Sequence, residues 1–430
     1  MKSGSEIVSV KARQILSERN HPGVETRVET ANGGVGVAIA TAGISIGEHE
    51  TQFVYDGGPK WNGKGVLKAV ANVNEIIGRK IVGIDASKQR YLDNILLELD
   101  GTKLKSNLGG NALAAVSAGV LKAAAASFGI PLYQHIGGVN ACILPTPGAI
   151  SVMGSSRYGG NEKVSGGKPS YSFMAYGFKS YSEASYACWD ISNVFAQLMR
   201  KKFNQIYVLG RMYVNGGVVE SDEQIWEAMK EAINEAGYKD KMGIQVDVAA
   251  TTYLDKNKGV FSGLFSRQDK TKDELIRLYK HMVQNYPFVI IEDPLEENDY
   301  EGHAEVTRSL GIQVVGDDLF TTNVERLKKG IAVGACNAVL LKVNQIGTIS
   351  EALDTVDLAY RNGWGIMPCS SRGEGIDIAD YCVGIGSGVV RESGVWPTCN
   401  RLLQIEEELG ARARFLGKMG FKGFGKQLYG

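Results

Sequence analysis

The sequence predicts an α/β protein in two parts, a small α+β domain over residues 1–140 and a closed barrel of alternating strands and helices over 141–430. Three observations predict it. Between Met242 and Gly347, four short runs rich in Val, Ile and Leu recur, each followed by a polar turn and a helical pattern, as buried parallel strands require. A residue able to do chemistry ends each run: Asp247 in MGIQVDVAA, Glu292 in FVIIEDP, Asp317 in IQVVGDD and Lys342 in AVLLKVNQ. One strand–helix unit of 25 residues separates Glu292 from Asp317, and another separates Asp317 from Lys342.

The elements follow in chain order. Residues 7–30 and 33–42 alternate apolar and polar residues around Asn20, Pro22, Gly33 and Gly34, which predicts a small antiparallel sheet. The glycine-punctuated stretch from Thr41 to Glu50 reads as a loop able to close over a ligand. Apolar residues at spacings of three and four predict helices over 65–80 and 87–99, and an alanine-rich helix follows over 110–128. Gly129-Ile130-Pro131 stops that helix, and Pro145 and Pro147 mark a boundary near residue 140. Residues 153–170 hold five glycines and read as a loop of the length at which lids occur. Helices are predicted over 182–203 and 222–237, then the four strand–helix units. GWGIMPCS and YCVGIGSG read as two more strands, and a helix over 399–409 precedes a basic, aromatic tail over 411–430.

Composition narrows the partners. In 430 residues, Lys plus Arg and Asp plus Glu both number 47, so no global field draws the chain to nucleic acid or to a membrane, and neither is an expected partner. Six cysteines, at 142, 188, 336, 369, 382 and 399, form no CxxC pair and read as free thiols of a reducing compartment. The opening MKSGSEIVSVKARQ has no apolar signal core and no run of about 18 apolar residues stands out, so the expectation is a cytoplasmic protein.

The convergent residues suggest a reaction. In a β/α barrel the C-terminal strand ends form the catalytic face. Magnesium prefers oxygen ligands and keeps positions for water and substrate, so Asp247, Glu292 and Asp317 suit Mg2+. A metal that polarises a substrate carboxylate makes the α-proton removable, and Lys342 beside it can serve as the base. The expected ligand is a small anionic carboxylate.

The segments ARQILSERNHPGVE, NGKGVLKAV, LELDGT, NALAAVSAGVLKAAA, GIPLYQHI, YPFVIIEDP, IQVVGDDLFTTN, CNAVLLKVNQIGT, NGWGIM and LLQIEEELG resemble the enolase family over nearly the whole chain. That resemblance implies an enolase-like fold, an N-terminal α+β capping domain followed by a modified TIM-type β/α barrel. It gives Asp247, Glu292 and Asp317 as metal ligands, Lys342 as the proton-abstracting base, and Ser45 as the residue reaching a second magnesium. It also implies a homodimer in which Arg13 and Glu407 form an ion pair between subunits, while the arginine partner of Glu25 corresponds to Gln404.

The departures from the family pattern fall on one side of the mechanism. Asn215, in YVNGG, stands where the family's general-acid glutamate stands, and Ser172, in YSFM, replaces a second glutamate. Arg157 aligns near the lid histidine. The stretch Cys369-Ser370-Ser371-Arg372-Gly373-Glu374 lacks the family's histidine, and Arg391 replaces a substrate lysine. Arg157, Ser370, Ser371, Arg372 and Arg391 are thus candidate substrate-binding residues, the arginines suited to phosphate, phosphonate or carboxylate.

The expected function is magnesium-dependent α-proton abstraction and enolate chemistry on a small phosphorylated or phosphono carboxylate, without efficient dehydration of 2-phosphoglycerate. The alternatives are a genuine phosphopyruvate hydratase of glycolysis and a non-catalytic enolase-like binding or scaffold protein.

Overall fold

The computed structural model describes residues 4–17, 20–43, 46–154, 157–159, 168–208, 211–394 and 397–423. The predicted N-terminal sheet forms from Ile7–Leu16, Pro22–Thr30 and Val35–Thr41, antiparallel with Pro22–Thr30 in the centre. Alternation sets its faces: Val24, Thr26, Val28 and Thr30 are buried, while Arg27 between them is exposed. The buried face lies on the helix Gly110–Phe128, whose alanines and glycines let backbones approach. A Cβ at Gly36 would stand 2.0 Å from the Gly119 carbonyl oxygen, so only glycine fits there. That helix is long and apolar enough to cross a membrane, contrary to the reading of the sequence, but it is a packed core element here.

The helix Gln89–Asp100 joins this domain to the barrel. Asp93 accepts the Ser117 hydroxyl at 2.6 Å and the Ser350 N–H at 2.9 Å, and Ser117 Oγ accepts the Ile349 N–H at 2.9 Å. Two orphan donors at the start of the barrel helix Ile349–Arg361 are thereby satisfied from the other domain.

The barrel follows one hydrogen-bonded path. Five strands are parallel in sequence order: Met242–Asp247, Phe288–Glu292, Gln313–Gly316, Ala338–Leu341 and Gly365–Pro368. Ser170–Ala175 pairs antiparallel with Met242–Asp247 on one side and Thr146–Gly154 on the other. Val389–Val390 pairs parallel with Thr146–Gly154, and the Arg391 N–H donates to the Pro368 carbonyl at 3.1 Å, which brings the path round to its start. The ring thus has eight strands among the described residues. Met174, Ile290, Val315, Leu340 and Met367 fill its interior, and the helices pack outside over Tyr171, Phe173, Phe195 and Trp226.

Two expectations change. The stretch YCVGIGSG is mostly the C-terminal part of a helix, Asp377–Ile385, and only Val389–Val390 beyond it is strand. Its residues from Ile378 to Gly384 are all buried, so no polar stripe marks the helical period, and length alone made it read as a strand. The second change lies around residues 153–170, where Thr146–Gly154 and Ser170–Ala175 are barrel strands flanking the glycine-rich run. Of that run, 155–156 and 160–167 lie outside the described residues, as does the end of the basic tail, from 424 onward.

Candidate active site

Strand register assembles the acidic residues. Glu292 stands opposite Asp247, and Glu292 stands opposite Val315, two residues before Asp317. Side chains two apart share a face, so Asp247, Glu292 and Asp317 cap the interior layer that Ile290 and Val315 fill below them. Lys342 extends the same row beyond Leu340. All four are buried.

Each carboxylate has defined partners. Lys342 Nζ is paired with Asp317 Oδ2, and Gln345 Nε2 donates to Asp317 Oδ1 at 2.8 Å. Burial pushes the Asp317 carboxyl up, but Lys342 and Arg372 outweigh it and bring it down to about 2. Burial likewise acts to lower the Lys342 ammonium, yet Asp317 reverses it and the net direction is up. Glu292 is raised by burial, against the pull of Arg391. Its Oε2 accepts Gln245 Nε2 at 3.2 Å, while its buried Oε1 has no hydrogen-bond partner among the described residues.

Arg391 ties two carboxylates together. Its Nη2 pairs with Asp247 Oδ2, its Nε lies 3.0 Å from Glu292 Oε2, and Nη1 lies 3.1 Å from Glu392 and 3.5 Å from Cys369 Sγ. A second cation, Lys168, reaches the same Asp247 oxygen. Burial, then Arg391, pulls the Lys168 ammonium down to about 8.

Arg372 is held from the other domain. Its guanidinium meets Glu50 at 2.5 and 3.1 Å, and its carbonyl accepts the Thr41 N–H and Asn344 Nδ2. Gly43 gives it room: a Cβ there would lie 1.4 Å from Nη1. Glu50 also accepts from Gln345, so the 41–50 loop is wired to the Asp317–Lys342 pair.

The sequence-derived candidates sort as follows. Asp247, Glu292, Asp317, Lys342 and Arg391 come together in one cluster, and Arg372 borders it through Glu50 and Gln345. Arg157 does not join them. It is 4 % exposed, and its Nη1 is clamped on Asp222 at 2.8 and 3.0 Å, with Tyr158 and Tyr171 donating to the same carboxylate. An arginine placed in the sequence as a substrate ligand is thus engaged with a buried carboxylate of its own chain. Ser371 is buried, Ser370 half-buried and Asn215 exposed. Ser172 is buried, and by strand alternation it shares the interior face with Ser170 and Met174. Ser45 lies outside the described residues.

Sequence reasoning passed over Lys168, Glu50, Asp293 and Asp318. The last two follow Glu292 and Asp317 directly, and that doublet was a readable signal. Asp293 accepts the Asp317 and Asp318 N–H groups at 2.9 Å each, fixing the turn after the strand. Asp293, Asp317 and Asp318 bring ligand oxygens within 4.8 Å of one another. Burial and the neighbouring aspartates raise Asp293 well above the carboxylate range, and burial, then Asp317, raises Asp318 to about 7. Asp293 is occupied by backbone donors, and the sequence-derived oxygen set Asp247, Glu292 and Asp317, in which Asp247 and Asp317 are paired with cations, keeps one carboxylate oxygen without a partner among the described residues. Its all-oxygen chemistry and the orphaned Glu292 Oε1 fit a magnesium ion.

The chain matches known families along almost its full length. Residues 7–136 match the family model described as Enolase, N-terminal domain, and residues 142–423 match Enolase, C-terminal TIM barrel domain. A protein named Enolase from Methanopyrus kandleri is 41 % identical over 423 residues, covering 95 % of this chain and 97 % of the relative. One from Methanococcus maripaludis is 40 % identical over 97 % of this chain and 99 % of its own, and one from Pyrococcus furiosus is 41 % identical over 97 % and 98 %. With both the N-terminal domain and the C-terminal barrel matching, and relatives about 40 % identical over nearly the whole length, the chain belongs to the enolase family of carbon–oxygen lyases.

Proposed function

We propose that this lyase begins its reaction by removing the proton α to the carboxylate of a small phosphorylated or phosphono carboxylate, with Lys342 as base. Asp247, Glu292 and Asp317 are the residues to hold magnesium. The observation that carries the reading is the row of three buried carboxylates ending in Lys342, whose Nζ rests on Asp317. Magnesium, when bound, supplies the positive charge that acidifies the α-proton. The protein does the rest. Lys342 is kept charged by Asp317, and once that carboxylate's charge is shared with a cation, burial moves the amine toward its basic form. Thr322 Oγ1 accepts the Lys342 N–H at 3.1 Å and fixes the backbone from which the amine projects. Arg391 and Arg372 are the arginines beside the cluster that are suited to orient anionic groups.

The relatives' name favours 2-phosphoglycerate as the substrate and phosphoenolpyruvate as the product. A direct assay of phosphoenolpyruvate formation with magnesium tests it; turnover between about 1 and 1000 per second supports it. One observation favours a second reading, in which the enolate forms but hydroxide is not expelled. Ser170–Ala175 stands four strands from Ala338–Leu341 in a ring of eight, hence across the mouth from Lys342, and its interior residues there are Ser170 and Ser172. A serine hydroxyl is too weak an acid to protonate a leaving hydroxide at neutral pH, and lost general acid catalysis costs about a hundredfold to ten-thousandfold. Solvent exchange at the α-carbon without phosphoenolpyruvate selects that reading. We also propose a cytoplasmic homodimer with domains meeting near residue 140. Arg13 bonds Glu25 of its own chain at 2.5 Å and leaves most of its side chain exposed toward a second subunit's Glu407, which sedimentation of Glu407→Arg tests.

A further inference from the structure

On the side of the mouth facing Lys342, the strand Ser170–Ala175 brings in Ser170 and Ser172, whose hydroxyls are too weakly acidic to protonate a departing hydroxide. Arg391 beside them is a permanent cation that engages Asp247, Glu292 and Glu392 and does not give up a proton. Lys168 is different. It enters that side from the residues just before the strand, its Nζ rests on Asp247 Oδ2, and 15 % of its side chain is exposed.

The backbone that carries Lys168 is clamped. Its carbonyl accepts the Tyr253 hydroxyl at 2.6 Å, and the Pro169 carbonyl after it accepts Arg157 Nη2 at 3.4 Å. Tyr253 is buried, and Asp222 fixes Arg157 in turn. Gly154 closes the clamp: a Cβ there would stand 2.8 Å from the Lys168 carbonyl oxygen and 2.6 Å from both the Pro169 oxygen and Arg157 Nη2, so only glycine lets the three meet. The Arg157–Asp222 pair thus holds the segment from which the ammonium projects. An ammonium has three N–H groups, so Lys168 can meet a ligand oxygen without leaving Asp247. With an ordinary pKa of about 10.4, it releases a proton far more readily than a serine hydroxyl or a guanidinium.

We propose that Lys168 is the proton donor to the substrate's departing β-hydroxyl, the part that Ser172 and Asn215 cannot take. This rests on the enolate reading, in which Lys342 removes the α-proton from the opposite side. The electron pair left at the α-carbon forms the double bond to the β-carbon, the β-carbon–oxygen bond breaks, and the oxygen leaves as water with the Lys168 proton. The neutral Lys168 then takes a proton from solvent, and Lys342 releases the α-proton there.

The test uses two substrates that give the same phosphoenolpyruvate, with magnesium present. One is 2-phosphoglycerate; the other is its analogue with chlorine in place of the β-hydroxyl, from which chloride departs without a proton. In Lys168→Met, formation from 2-phosphoglycerate falls at least about a hundredfold, while formation from the chloro analogue stays within about threefold of wild type. Lys168→Arg keeps a cation on Asp247 and shows the same split, because a guanidinium does not release a proton. Equal losses with both substrates in Lys168→Arg overturn the proposal, as does recovery of 2-phosphoglycerate turnover in that variant. Wild type that exchanges the α-proton of 2-phosphoglycerate but forms no phosphoenolpyruvate also overturns it and leaves the enolate reading standing. Wild type that exchanges no α-proton refutes the enolate reading itself.

Discussion

At the residue scale, burial decides which charged groups serve the site and which serve the fold. Arg157 is the sharpest case: its motif position suggested a ligand, but Asp222 and two tyrosines enclose it. Arg157→Met leaves a buried carboxylate without its cation, and urea unfolding should record a loss of about 3–5 kcal/mol. A substrate arginine would instead lose ligand affinity with stability intact. His303 gives a pH-dependent counterpart. Burial lowers its imidazole to about 4 from 6.5, and Nδ1 faces the Asp299 carbonyl at 2.8 Å. The unfolded chain therefore binds this proton more readily than the folded one. The resulting stability is complete above pH 6.5 and is lost as pH falls toward 4, by at most about 3 kcal/mol. His303→Gln should flatten that part of a stability–pH curve measured by denaturant titration.

At the element scale, periodicity made the barrel strands legible and hid what lacks a polar stripe. Runs such as FVIIE read as strands because Val and Ile fill a sheet buried on both sides. The helix Asp377–Ile385 is buried from Ile378 to Gly384 and carries no charged residue beyond Asp380 to mark its period, so its C-terminal part was misread. Ser170–Ala175 went unseen because it runs antiparallel in an otherwise parallel wall and begins after a glycine-rich segment. Lys168, two residues before it, was invisible with it. The N-terminal sheet rests on a sharper constraint, the approach of Gly36 to Gly119. Gly36→Ala should destabilise the chain by about 1–3 kcal/mol in thermal or urea unfolding, because neither backbone can retreat without shifting the sheet off its helix.

At the scale of the whole molecule, two domains build one mouth. The carboxylate row and Lys342 were readable because each ends its own strand; the Glu50–Arg372 pair was not, since its members lie 322 residues apart and no local pattern joins them. Docking through Asp93, Ser117 and Glu50 sets the loop over the barrel. Magnesium at a hundred times its dissociation constant should stabilise the chain by about 2.7 kcal/mol, read as a thermal shift that EDTA reverses and Asp247→Asn abolishes. The central claim, that Lys342 and the carboxylate row start an enolate reaction, is tested most directly by proton exchange in deuterated water. With magnesium and 2-phosphoglycerate or a phosphonocarboxylate, nuclear magnetic resonance should record deuterium entering the α-carbon. The rate should fall at least about a hundredfold in Lys342→Gln and with EDTA. Exchange that persists in Lys342→Gln, or wild-type protein that exchanges none of these carboxylates, would contradict the account.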